Sequence, residues 1–207
     1  MADTPLLVDP AVSRAKFARE LAEYRSLEDD HLRRGWWMLR REYPEVFVVF
    51  ANAQLKPPAV IFGVIIDFTN YDLWAPSVRL VNPFTREPYK AKELPSTLRR
   101  RSLVAAPHLA GLIPGGHEGE VPQMEQESTL MQAHSPDDVP FLCLAGVREY
   151  HEHPGHPGDS WLLHKGEAKN MLFHLLDVLY RYGVQPINSY QIQMMPVIRF
   201  GQQEVPE

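Results

Sequence analysis

Four of the nine histidines of this 207-residue chain fall within fourteen residues, at His151, His153, His156 and His164, and the chain's one cysteine, Cys143, shortly precedes them. The carboxylates of Glu149, Glu152 and Asp159 are interleaved with the rings. Imidazole, thiolate and carboxylate together suit a divalent transition metal, zinc above all. The same residues have a plainer reading, because a polar loop punctuated by Pro154, Gly155, Pro157 and Gly158 can carry histidines that sit in water, and the spacing matches no ligand rule. Cys143 is open in the same way. As a thiolate it is a nucleophile, given access and a field that lowers its pKa. As a thiol between Leu142 and Leu144 it is a small core hydrophobe. A lone cysteine forms no internal disulfide, which suits a reducing compartment.

The elements that must position these groups can be read from periodicity. Asp9-Pro10 starts a helix, since the Asp side chain accepts from orphan amides and Pro at the first helical position loses nothing by lacking one. Phe17, Leu21 and Tyr24 recur at helical spacing. After the acidic break Glu28-Asp29-Asp30 that spacing returns as Leu32, Trp36 and Leu39, which predicts one interrupted helix or two short ones ending before Pro44. One ring of the adjacent pair Trp36-Trp37 must point away from the other. Residues 46–50 and 60–68, rich in β-branched and aromatic side chains, read as adjacent antiparallel strands joined by a turn at Lys56-Pro57-Pro58, with a third short strand at 78–81. From 82 to about 139 periodicity fades among prolines and mixed charge, the mark of a functional excursion or a partly disordered insertion. The apolar run 141–146 leads into the histidine loop. A later helix carries the stripe Met171, Leu172, Leu175, Leu176 and Leu179, closed by Gly183 at the C′ position with Pro186 beyond. The tail, 190–200, alternates like a strand or an extended arm.

Composition bounds the function. With 21 Lys+Arg against 26 Asp+Glu the net charge is −5 and the pI is near 6.0. That leaves no whole-protein electrostatic case for nucleic acid or an anionic membrane, and Arg99-Arg100-Arg101 is too short a run to supply one. No stretch approaches the roughly eighteen apolar residues of a membrane span, and Met1-Ala2-Asp3 opens with an acid where a secretion signal carries positive charge. The expectation is a cytoplasmic chain with one core.

The order of segments resembles the core of ubiquitin-conjugating enzymes. Residues 63–80, an apolar strand, then Phe68-Thr69-Asn70-Tyr71-Asp72, then Pro76 and a short strand, are similar to that family's third-strand region with its Phe-Pro-x-x-Tyr-Pro turn. Leu142-Cys143-Leu144 resembles its Ile-Cys-Leu active-site run, Trp161 the tryptophan that follows, and 170–182 the helix behind the site. The family's His-Pro-Asn tripeptide has its nearest counterpart in His134-Ser135-Pro136-Asp137, where the Asn credited with stabilising the oxyanion is missing. The histidine loop itself also resembles a predicted metal-binding Cys-Glu-His-His family found beside bacterial ubiquitin-like conjugation genes.

The first resemblance implies an α+β, ubiquitin-conjugating-enzyme-like fold over residues 1–207: an N-terminal helix, an antiparallel β-meander, an active-site loop and a C-terminal helix, with an insertion at about 83–132. It implies a conjugating transferase in which Cys143 accepts a ubiquitin-like protein from an activating enzyme as a thioester and passes it to an amine of a protein target. No cofactor is required. His134, His151 or His153 would supply the missing oxyanion donor, and Asp159 or Glu149 would orient the amine. The activating enzyme would meet the α-helical face carrying Arg14, Lys16, Arg19 and Arg25. The second resemblance implies a zinc protein of the same pathway, with Cys143, Glu149, His153 and His156 as the ligands, His151 being the other histidine that could serve. A third possibility is an interaction module without chemistry.

Overall fold

In the computed structural model of the chain, which describes residues 6–105, 123–164 and 171–191, the helix announced by Asp9-Pro10 forms as α1, Pro10–Arg25. Asp9 Oδ1 accepts from the Ala11 N–H at 2.8 Å, so the side chain satisfies one of the four amides that a helix start leaves unpaired. Phe17, Leu21 and Tyr24 line its buried face as the spacing predicts, and Ser13 and Glu20 are buried beside them.

The next segment departs from expectation. Helix α2, Glu28–Arg34, stops at Gly35, and Trp36–Glu42 is strand β1 rather than a continuation of helix towards Pro44. Gly35 has φ 85°, a left-handed cap conformation that glycine adopts without steric cost. A Cβ there would lie 2.2 Å from the Ala51 carbonyl oxygen, so the close approach of the next strand also demands glycine. Beyond it the period is two: Trp36 and Met38 face the core while Trp37 and Leu39 face outward. Leu32, Trp36 and Leu39 therefore share no face, and their helical spacing is coincidental.

Strands β2 (Glu45–Asn52), β3 (Ala59–Asp67) and β4 (Ser77–Val81) form where the β-branched runs lie, giving a four-stranded antiparallel sheet in the order β1-β2-β3-β4. The register pairs Val48 with Val64 and Val64 with Leu80, which places one apolar row across the inner face. Helix α5, Met171–Gly183, packs its predicted stripe into the same core as α1 and this face. Gly183 ends that helix from within, with no left-handed turn; a Cβ there would meet the Phe62 ring and Leu98 at 3.1 and 3.2 Å, so packing is what selects glycine. N-terminal helix, antiparallel meander and C-terminal helix make a mixed α+β architecture compatible with the ubiquitin-conjugating-enzyme-like fold.

The excursion is more regular than its composition suggested. Within it β5 (Arg99–Ala105) pairs antiparallel with β6 (Gln123–Thr129) as a separate two-stranded sheet, and residues 106–122 between them lie outside the described part. All of β6 is exposed and β5 nearly so, so neither strand carries the apolar alternation that reveals a strand in sequence. Leu98 and Leu130 root the hairpin in the core, joined by a 3.0 Å bond from the Leu130 N–H to the Leu98 carbonyl. Next, β7 (Met131–Gln132) pairs with β8 (Phe141–Leu142). The predicted arm at 190–200 falls almost wholly outside the described residues. Among the described residues no helix is long and apolar enough to cross a membrane.

Two buried polar side chains organise the interior. His31 is stacked between Tyr24 and Trp36, with ring centroids 4.4 and 4.8 Å away, and burial holds its pKa below the ordinary imidazole value, so it packs as a neutral aromatic plate. Glu20, 1% exposed, accepts from the Tyr71 hydroxyl at 3.2 Å, from the Leu172 N–H at 3.2 Å and from Arg19 at 3.3 Å. It thereby ties α1 to the loop after β3 and to the first turn of α5, where an amide is otherwise orphaned and the helix dipole favours a carboxylate. Replacing Glu20 by Ala leaves the Tyr71 hydroxyl and the Leu172 amide buried without a partner. The expected loss is about 1–3 kcal/mol, read as a lower urea midpoint at unchanged slope, with Glu20→Gln losing less because it keeps an acceptor oxygen.

Candidate functional site

Cys143 directly follows β8. Its N–H donates to the Leu130 carbonyl at 2.7 Å, extending the β7–β8 pairing by one residue, and the Leu144 N–H turns back to the Leu142 carbonyl at 3.0 Å. Leu142 takes the core position and is fully buried, whereas Cys143 is half-buried. The sulfur therefore stands at the boundary between core and solvent, and burial pushes its thiol pKa up. Gly146, φ 95°, then turns the chain into α3 (Arg148–Glu152), residues 153–160 and α4 (Trp161–His164).

That loop folds back over the sulfur. His156 Nε2 lies 3.4 Å from Cys143 Sγ, within hydrogen-bonding reach for sulfur, and the His156 ring is stacked on Tyr150 with centroids 4.1 Å apart. The Tyr150 hydroxyl donates to Asp159 Oδ2 at 2.7 Å, and the other Asp159 oxygen bonds His164 Nε2. His164 first and Tyr150 second hold the Asp159 carboxyl below the usual carboxylate range. The same bond to Asp159 is the main reason that the Tyr150 hydroxyl is pushed up.

The other predicted residues sort by what their ring nitrogens already do. His151 Nε2 accepts from the Gly146 N–H at 3.0 Å, which leaves the proton on Nδ1, where it reaches the Asp159 carbonyl at 2.7 Å. Both nitrogens of His151 are thus spent on bracing the loop. His153 Nδ1 accepts from the Gly155 N–H at 3.0 Å, so its neutral ring carries a proton on Nε2. The ring lies against Phe141 at 5.0 Å and against the exposed His134 at 5.8 Å. Of the three histidines considered as oxyanion donors, His151 is committed and His153 presents a donor nitrogen. Glu149 turns away towards β4, where it accepts from the Ser77 hydroxyl.

A metal would need these groups to converge. Cys143 adjoins His156, but Glu149 bonds Ser77, so the Cys143, Glu149, His153, His156 set is not gathered. Among the described residues, the group whose ligand atoms all lie within 4.8 Å of one another is His151, Asp159 and His164, and there the His151 nitrogens are hydrogen-bonded to backbone.

Sequence reasoning passed over Arg148, Tyr150 and the role of Asn70. Arg148 donates to the Ala75 and Thr69 carbonyls at 3.1 and 2.9 Å, lies 3.7 Å from Asp67 and covers Trp74 at 5.2 Å, so it clamps the loop 69–76 to the start of α3. Trp161 donates to the Asp72 carbonyl at 3.0 Å from the other side. Asn70 accepts from the Leu7 and Val8 amides. These contacts join positions many residues apart, and no local spacing announces them. A pocket of about 490 Å³ is lined by Trp74, Arg148, His151, His156, Asp159 and Trp161 among others, so the imidazole that reaches Cys143 also lines it. On α1, three of the basic residues considered as a partner surface have intramolecular contacts: Lys16 pairs with Asp72 at 2.6 Å, Arg19 with Glu20, and Arg14 covers the Tyr43 ring at 5.0 Å.

A half-exposed thiol in reach of an imidazole, carried on a helix–meander–helix scaffold, defines an α+β protein with a cysteine–histidine site. Residues 8–187 match the Y4jH-like family, and the chain belongs to it. It is 41% identical over 192 residues, 90% of this chain and 89% of the relative, to the uncharacterized protein y4jH of Sinorhizobium fredii (strain NBRC 101917 / NGR234).

Asp159 is the joint of the loop, and its replacement tests that. Asp159→Asn cannot accept from Tyr150 and His164 together, so amide exchange over 150–164 should quicken at pH 7 while the global unfolding midpoint stays nearly the same. Because the folded-state pKa is lowered, the carboxylate's contribution is complete above the ordinary carboxylate range and is lost as pH falls through the lowered value. Side-chain NMR signals of Tyr150 should move in that acid range in the wild type and stay still in the variant.

Proposed function

We propose that the chain is a conjugating enzyme, a transferase that accepts a ubiquitin-like protein from an activating enzyme as a thioester on Cys143 and passes it to an amine of a target protein. The observation that carries this reading is the Cys143 sulfur itself: half-exposed at the end of β8, 3.4 Å from His156 Nε2, and placed after the meander and ahead of the C-terminal helix. Its segment order resembles that of ubiquitin-conjugating enzymes, and the α+β architecture is compatible with theirs.

A thioester suits a carrier because thiolate is both a good nucleophile and a good leaving group, so the second transfer is as accessible as the first. No cofactor enters either step. Each tetrahedral intermediate bears an oxyanion that needs a fixed donor, and losing such a donor typically costs about 10²–10³ in rate. With Asp137 where the related family has Asn, His153 Nε2 takes that role, its ring held by Phe141 and by the Gly155 amide. The pocket that His156 and Asp159 both line gives the incoming amine access.

The test mixes the protein with the ubiquitin-like protein, the activating enzyme and ATP, and resolves the products without reductant. A thiol-sensitive adduct that Cys143→Ala abolishes is expected. No adduct with an activating enzyme that itself charges would overturn the reading. About one equivalent of tightly held zinc in the purified protein, lost in Cys143→Ala, would favour the metal-binding alternative instead.

A further inference from the structure

We propose that His156 is a catalytic acid–base residue, taking the proton from Cys143 and returning it during transfer. The inference deepens the reading above and rests on it for the identity of the acyl group, but the proton step rests on geometry alone. His156 Nε2 is the ring nitrogen that meets the sulfur, at 3.4 Å. Among the described hydrogen bonds, His151 uses both of its nitrogens on backbone groups and His153 uses Nδ1 on the Gly155 amide, so neither competes for the thiol proton at that position.

The ring is held by stacking rather than by a carboxylate. Tyr150 lies under it at 4.1 Å and 29°, and Tyr150 is itself fixed through its hydroxyl to Asp159, which His164 anchors. The His153 ring lies tilted to it at 5.8 Å. The titratable groups facing the pair are therefore Tyr150 and His153, with Asp159 one hydrogen bond further on. This differs from the usual nucleophile–base–orienter triad, where a carboxylate bonds the second imidazole nitrogen. Stacking fixes the plane of the ring, no described hydrogen bond engages its Nδ1, and His156 lines the pocket.

The steps balance without an added reagent. In loading, the Cys143 S–H proton passes to His156 Nε2 and the thiolate forms a carbon–sulfur bond to the acyl carbon. The donor's carbon–sulfur bond breaks, and the departing thiolate takes the proton from His156. In discharge, a neutral amine forms a carbon–nitrogen bond to the acyl carbon and its surplus proton passes to His156. The Cys143 carbon–sulfur bond breaks, and that proton returns to Cys143. Because burial disfavours the bare thiolate here, an adjacent base is what makes attack possible near neutral pH.

Cys143 is the chain's one cysteine, so alkylation by iodoacetamide reads this thiol alone. The rate is measured from pH 5.5 to 10 in the wild type, His156→Gln and His156→Phe, the last keeping an aromatic ring on Tyr150. The wild type should retain alkylation near pH 6.5 that both variants lose by about tenfold, their profiles rising at the higher pH of an unassisted buried thiol. Superimposable profiles would overturn the proposal, and so would a wild-type profile in His156→Phe alone, which would reduce the ring to packing. Circular dichroism melts confirm that each variant is folded. The outcomes separate from those of the adduct assay: a shifted profile without any adduct keeps the acid–base pair and removes the conjugating role, whereas an adduct with superimposable profiles does the reverse.

Discussion

One buried carboxylate sets the frame on which the site depends. A side chain as costly to bury as Glu20 is tolerated only where donors converge on it, and here the neighbouring Arg19 is joined by donors from two distant segments, Tyr71 of the loop after β3 and the first turn of α5. The apolar stripes of α1 and α5 would pack on the sheet in several registers, because hydrophobic burial is not directional. The Glu20 contacts are directional, and they select one arrangement of helices and loop.

From Tyr71 the constraint passes outward. The same loop offers the Asp72 carbonyl to Trp161 and the Thr69 and Ala75 carbonyls to Arg148, so both ends of the histidine segment are docked onto it. Inside that segment Asp159 gathers bonds from Tyr150, His164 and His151, and His151 in turn accepts from Gly146. The β7–β8 pairing delivers Cys143 from the opposite direction. The two routes meet at the 3.4 Å contact between Cys143 and His156, within hydrogen-bonding reach for sulfur.

This arrangement gives the histidine cluster a division of labour. His151 and His164 are struts, His153 is oriented by the Gly155 amide, and His156 faces the sulfur. A cluster that reads in sequence as four equivalent ligands is, in three dimensions, four rings with different nitrogens already spoken for. Membership of the Y4jH-like family extends from residue 8 to residue 187, so it takes in both the Glu20 frame and the loop it holds.

How much of this was legible follows from the range of the interactions. The cap at Asp9, the stripes of α1 and α5, the paired strands on either side of Lys56-Pro57-Pro58 and the departure of Trp37 from Trp36 are set by residues within a few positions of one another, and periodicity reports them. Where local signals conflicted, periodicity misled: Leu32, Trp36 and Leu39 mimic a helix, but the left-handed cap at Gly35 ends it and the close approach of Ala51 reinforces the demand for glycine there. The exposed hairpin β5–β6 left no apolar pattern to read. Types and proximity in sequence marked Cys143 and the histidines as candidates, and the fold brings Cys143 and His156 within 3.4 Å. Which nitrogen faces the sulfur, which ring is a strut, and the roles of Glu20, Asn70 and Arg148 were decided by tertiary structure alone, because hydrogen bonds are short and directional and join residues that only the fold brings within 3 to 4 Å of each other.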